Sequence, residues 1–154
     1  MIKLYKKVKG VLRYHEAWAN DGTITEHWGE VGKRGKLRQH EMRGRKSEKR
    51  ALREVLQAAI DDGYEDMDDL KVVLIEYKIR GMGTAKDLDK RHDLQDRMNE
   101  TLGWTGLGHC DGGSIGSGTM EVCCLVVDVG IALRVIKTDL KGSPFANYSR
   151  IFEE

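Results

Sequence analysis

The sequence predicts an α+β chain of two small domains, an antiparallel sheet with one helix over residues 1–66 and a βαββαβ sandwich over residues 70–154. Three observations lead there. Strand-forming runs punctuated by turn residues fill the chain as far as Met42. Apolar residues then recur at three-to-four-residue spacing from Ala51 to Ile60. Beyond an acidic link at residues 65–69 the pattern changes to strands alternating with helices. A length of 154 residues with 40% apolar content and a single proline fits folded, globular domains.

Taken in order, residues 2–8 and 11–18 carry strand formers around a Lys9-Gly10 turn, and Ala19-Asn20-Asp21-Gly22 marks a tight hairpin into a returning strand at residues 23–31. Residues 36–42 read as a polar, cationic edge strand. Ser47 is a helix N-cap, and Ala51, Leu52, Val55, Leu56, Ala59 and Ile60 form the apolar stripe of that helix, which stops at Gly63-Tyr64. In the second half, residues 71–79 form a strand and Thr84 caps a helix that buries Leu88, Leu94, Met98 and Leu102 and ends at Gly103. Residues 104–110 and 119–128 are extended around a long glycine-rich connection at 111–118. Ile131, Ala132, Val135, Ile136 and Leu140 mark a further helix, and residues 148–152 a last strand. This order is that of a split β-α-β, ferredoxin-like sandwich.

Charge is divided unevenly. Residues 1–60 hold 15 Lys+Arg against 7 Asp+Glu, a net +8, whereas residues 61–154 hold 11 against 18, a net −7. A basic half of this kind predicts a polyanionic partner. The segment from Lys33 to Arg53 alone carries 10 Lys+Arg and 2 acids. No apolar run approaches the roughly 20 residues needed to cross a bilayer, and the first residues lack an apolar signal segment, so the expectation is a cytoplasmic chain without a membrane partner.

The stretch His27-Trp28-Gly29-Glu30-Val31-Gly32-Lys33-Arg34-Gly35 reads as a strand running into a tight basic turn. With Ala51 on the following helix and Gly63-Tyr64 at its end, the landmarks Trp28-Gly29, Val31-Gly32 and Gly35 resemble the WGR domain family over residues 1–66. Glu30 stands where the family has its signature arginine. The resemblance implies a module that binds DNA ends, with Trp28 as a stacking residue. The second half resembles ferredoxin-like domains of uncharacterised bacterial proteins, through Asp111-Gly112-Gly113 and residues 116–121.

The expected function is therefore non-catalytic binding of DNA ends or other nucleic acid through Trp28, Lys33, Arg34, Lys36, Arg38, Arg43, Arg45, Lys46 and Arg50, with Tyr14 or Trp18 adding stacking area. The alternative is a protein-interaction or regulatory module. A sheet edge in the second half also leaves room for a homodimer. Three cysteines, an odd number with two adjacent, do not form a disulfide framework, and His92, His109, Cys110, Asp111, Cys123 and Cys124 lack the paired spacing of a zinc site. No metal or cofactor is expected. An enzyme would require Cys110 or Ser114 to meet His92 or His109 and Asp111, a convergence that the spacing does not demand.

Overall fold

Two-residue turns set the first sheet. Lys9 and Gly10, and again Asp21 and Gly22, all take positive φ (50, 81, 48 and 77°), the backbone of turns whose twist matches a right-handed hairpin. They join β1 (Ile2–Val8), β2 (Val11–Asn20) and β3 (Thr23–Glu30), and a longer turn leads to β4 (Lys36–Glu41). The result is an antiparallel meander in the order β1-β2-β3-β4. Ala19 and Asn20 belong to the strand rather than to the turn, because the Asn20–Thr23 pair already closes the hairpin. The computed structural model describes residues 1–44 and 47–154.

One face of this meander carries α1 (Glu48–Asp61). Ser47 Oγ accepts from the Arg50 backbone N–H at 3.3 Å, and Gly63, at φ 95°, ends the helix by letting Tyr64 N–H reach the Ala59 carbonyl at 3.0 Å. Ala51, Leu52 and Leu56 bury against Leu4, Ala17 and Ile24 of the sheet. Each fully buried leucine contributes about 1.5–3 kcal/mol of apolar transfer. Ile60, read as part of the stripe, is instead exposed: the buried face centres on Leu52, Val55 and Ala59, and Ile60 falls to one side of it.

The chain divides into two compact units, Met1–Asp68 and Asp69–Glu154. The second contains β5 (Lys71–Lys78), α2 (Ala85–Trp104), β6 (Gly108–Gly116), β7 (Thr119–Val126), α3 (Val129–Leu140) and β8 (Arg150–Glu153). Its sheet is antiparallel in the order β6-β7-β5-β8, the split β-α-β arrangement in which the first strand lies between the third and the fourth. Val73, Ile75, Val122 and Val126 from the sheet, Leu94, Met98 and Leu102 from α2, and Ala132, Ile136 and Leu140 from α3 are fully or almost fully buried. Thr84 caps α2 with a reciprocal capping box to Asp87.

Three expectations for this unit are corrected. Gly103 lies inside α2. The helix ends at Trp104, and Gly106 with φ 66° supplies the left-handed cap that lets Leu107 N–H reach the Leu102 carbonyl at 2.9 Å. Leu88 is exposed because it sits in the first turn, before the buried stripe begins at Leu94. The glycine-rich stretch 111–118 is not a long connection: β6 runs through it to Gly116, and a two-residue turn at Ser117-Gly118 leads to β7. A bulge between Cys110 and Gly113 absorbs the irregularity, with Gly112 at φ 85°, and a Cβ at Gly113 would overlap the Glu121 carbonyl oxygen.

In the first unit, the turn between β3 and β4 folds back so closely that a Cβ on Gly35 would overlap both the Trp28 carbonyl oxygen and the Tyr14 hydroxyl. Gly35→Ala is accordingly expected to lower stability by about 1–3 kcal/mol, as overpacked sites do. Urea unfolding followed by far-ultraviolet circular dichroism would read the change, and an unaltered midpoint would show that the turn can give way.

Candidate nucleic-acid interface

The pairing register decides which side chains meet. His15 lies opposite Trp28, and Trp28 opposite Lys36; Ala17 lies opposite Glu26, and Glu26 opposite Arg38; Ile24 lies opposite His40. All of these belong to the face that also carries α1. Tyr64, His15, Trp28 and Arg38 form a row across it. The Tyr64 ring stands edge-on to His15 at 5.7 Å, His15 is stacked with Trp28 at 5.7 Å, and the Arg38 guanidinium lies over the indole at 5.4 Å.

Glu26 fastens this row from below. With a side chain 4% exposed, its carboxylate accepts from His15 Nε2 at 2.7 Å, His40 Nε2 at 2.8 Å and Arg38 Nη2 at 3.0 Å. Burial pushes the carboxyl up, but the hydrogen bonds from His15, His40 and Arg38 outweigh it and hold the group below the ordinary carboxylate range. Arg38 itself remains 62% exposed. Its Nη2 is committed to Glu26, while most of the side chain faces outward.

The other face of the meander holds a different set. Tyr14, Glu16 and Trp18 alternate with His15 and Ala17, so they point away from Trp28. The Tyr14 hydroxyl donates to the Lys33 carbonyl at 3.2 Å and contacts His27 Nε2 at 3.2 Å, and His27 Nδ1 donates to Glu16 at 2.7 Å. Lys3 completes the set with an ion pair to Glu16 at 3.2 Å. Burial, the largest influence, pushes the Tyr14 phenol up to about 12, keeping it a neutral donor. Tyr14 is fully buried. Neither Tyr14 nor Trp18 can add stacking area to Trp28, and that expectation is corrected.

The anticipated cations are distributed as follows. Lys33, Arg34, Lys36 and Arg38 are exposed along the turn and β4, and Arg43 is exposed just past the strand. Lys33 pairs with Glu30 at 3.1 Å, so that carboxylate has a cation beside it. Arg50 pairs with Glu54 at 3.4 Å and lines, with Lys49 and Arg53, a shallow depression of about 430 Å³ on α1. A second cleft, of about 390 Å³, separates β4 from α1 and is lined by Glu26, Arg38, His40, Glu41, Arg43 and Glu54, among others. Three of those six are acids, of which Glu26 is buried while Glu41 and Glu54 are exposed. Arg45 and Lys46 lie outside the described residues.

Sequence reasoning overlooked His15, Glu26 and His40. The signal was available, because a two-residue Asp21-Gly22 turn fixes Asn20 opposite Thr23 and so places His15 diagonal to Glu26 on one face.

Of the residues weighed for catalysis in the second unit, His92, Cys110 and Ser114 have other partners among the described residues. His109 is exposed and adjacent to Cys110 in a strand, which turns the two side chains to opposite faces; His92 is exposed and contacts Arg91 at 3.4 Å; Ser114 Oγ donates to Glu121 at 3.4 Å. Among the described residues no cluster of His, Cys, Asp and Glu has metal-binding geometry, and no helix is long and apolar enough to cross a membrane. Comparison with protein-family models, curated proteins and solved structures finds no match to this chain.

The depressed Glu26 carboxyl has a pH consequence with a definite sign. A group held lower in the folded than in the unfolded chain adds stability above its unfolded pKa and loses it as pH falls through the folded one. Glu26→Gln is expected to be less stable than wild type near neutrality and to lose less stability on acidification. Denaturant titrations at a series of pH values test this; parallel curves for the two proteins would contradict it.

Proposed function

We propose that this chain is a non-catalytic binding protein whose first unit holds nucleic acid along the rim made by the Lys33-Arg34 turn, Lys36 and Arg38 of β4, and Arg43. One arrangement carries this reading. Lys36 and Arg38 occupy the face of β4 that bears Trp28, and Arg38 rests on the indole while Glu26 fixes its angle, which leaves an oriented cation facing solvent. An oriented guanidinium loses less freedom on meeting a phosphate than a loose lysine does.

The WGR resemblance implies a tryptophan that stacks on a DNA end. In this chain Trp28 serves instead as the platform for Arg38, since its ring is already engaged by His15 and the guanidinium. Glu30 is offset by Lys33 rather than presented alone to phosphate. Binding is then dominated by backbone phosphates and tolerates any sequence.

A second reading rests on Leu37, which is 52% exposed on the outer strand β4, on the face opposite Lys36 and Arg38. An apolar side chain on a sheet edge suits a protein partner that adds a strand there.

The test is a fluorescence-anisotropy titration of the full chain against blunt, nicked and single-stranded DNA over a range of salt. Affinity is expected to fall with salt, and Lys36→Ala/Arg38→Ala to reduce the slope of log K against log salt by about 1 to 2, at about 0.9 for each lost phosphate contact. Trp28→Ala is expected to weaken binding in the wild type and to have little further effect once Arg38 is gone. Binding absent near physiological salt, or insensitive to both variants, would discard nucleic acid in favour of a partner whose capture Leu37→Glu abolishes.

A further inference from the structure

The second unit contains a pair of thiols in an unusual position. Cys110 of β6 and Cys124 of β7 are direct cross-strand partners. Their place in the ladder follows from the Val127 N–H, which donates to the Leu107 carbonyl at 3.0 Å. That makes residues 107 and 127 a hydrogen-bonded pair. By alternation Gly108 and Val126 are non-bonded, His109 and Leu125 bonded, and Cys110 and Cys124 non-bonded. In agreement, the Cys110 N–H donates to Asn99 Oδ1 of α2 at 2.8 Å rather than to β7.

Non-bonded antiparallel pairs bring their Cα atoms to about 4.5 Å and their side chains closest together. A disulfide accepts Cα separations of about 4.4–6.8 Å. Cys123, next in sequence to Cys124, projects from the other face of the sheet and is outside this pairing.

The two thiols are not equivalent. Cys124 is fully buried, whereas Cys110 is partly exposed at the outer strand, beside the bulge, where its Sγ donates to the Gly112 carbonyl at 3.6 Å. The hydrogen bond from the Cys124 thiol is the largest influence on Cys110, exceeds the effect of its burial, and holds it below the ordinary thiol range; that same contact, with burial, pushes Cys124 up.

From this geometry we propose that Cys110 and Cys124 form a peroxide-sensitive dithiol, with Cys110 the attacking and Cys124 the resolving thiol. The Cys110 thiolate attacks one oxygen of hydrogen peroxide, forming an S–O bond as the O–O bond breaks. The departing hydroxide takes up the proton that Cys110 released and becomes water. Cys124 sulfur then attacks the sulfenic sulfur, an S–S bond forms, the S–O bond breaks, and the hydroxyl leaves as a second water with the Cys124 proton. Two thiols lose two electrons, and the peroxide gains them.

The full-length reduced protein, freed of reductant, would be exposed to graded hydrogen peroxide, quenched with catalase and denatured in excess iodoacetamide for intact mass and peptide mapping. Methionine sulfoxide at the exposed Met82 gauges the dose. Expected is the loss of two of the three alkyl groups before Met82 oxidises, a Cys110–Cys124 linked peptide, and full reversal by dithiothreitol. Cys123→Ser should behave as wild type, and Cys124→Ser should leave a sulfenic acid at Cys110 that dimedone traps. The proposal is overturned by a linkage through Cys123, by a bond between two chains, or by retention of all three alkyl groups at doses that have oxidised Met82. The wild-type peptide map decides the matter even if a serine variant does not fold.

Discussion

The carboxylate of Glu26 is the constraint on which the first unit's surface depends. A buried anion is costly unless it is surrounded by donors, and here three side chains from the two strands that flank β3 supply them. Satisfying that one group fixes the ring of His15, which fixes the indole of Trp28 by stacking, and fixes Arg38, which covers the indole from the neighbouring strand. A polar interaction chosen for burial thus orders an aromatic and cationic surface that faces water. Had position 26 been apolar, β3 would bury as well, but Arg38 would be one more mobile surface arginine.

The opposite face of the same sheet is ordered by a comparable device with a different result. Glu16 and His27 are direct cross-strand partners, and their contact with Tyr14 passes the constraint to the Lys33 carbonyl. The basic turn is therefore held by its backbone. Its side chains remain exposed, and Gly35 is required because the hydroxyl of Tyr14 and the backbone of Trp28 occupy the space of a Cβ. Burial beneath the turn and charge above it are two aspects of one packing arrangement.

What could be read from the sequence was whatever depends on neighbours along the chain. Asp21-Gly22, Ser47, Gly63 and Thr84 each impose a local backbone geometry, and the element order followed from them. What could not be read depends on neighbours across the sheet. Gly112, Gly113 and Gly116 suggested a loose connection because glycine is common in loops, yet Gly113 lies in a strand because β7 comes too close for any side chain. Gly103 suggested a helix end for the same reason, whereas the cap geometry fell at Gly106. The candidate site divided similarly. The cations and Trp28 were visible as residue types, but the separation of Trp28 from Tyr14 and Trp18 is a matter of strand parity, and the Glu26 centre exists only once β2, β3 and β4 are in register.

The order of strands in the two sheets carries a consequence for how the chain is made. Every pairing in the first sheet joins strands adjacent in sequence, so that sheet can close as soon as its own residues leave the ribosome. In the second, β5 takes its place between β7 and β8, and its pairing of Val73 with Glu153 waits until all of α2, β6, β7 and α3 have been made. Throughout that interval one edge of the apolar strand β5 is unsealed, in a state open to pairing with another nascent chain.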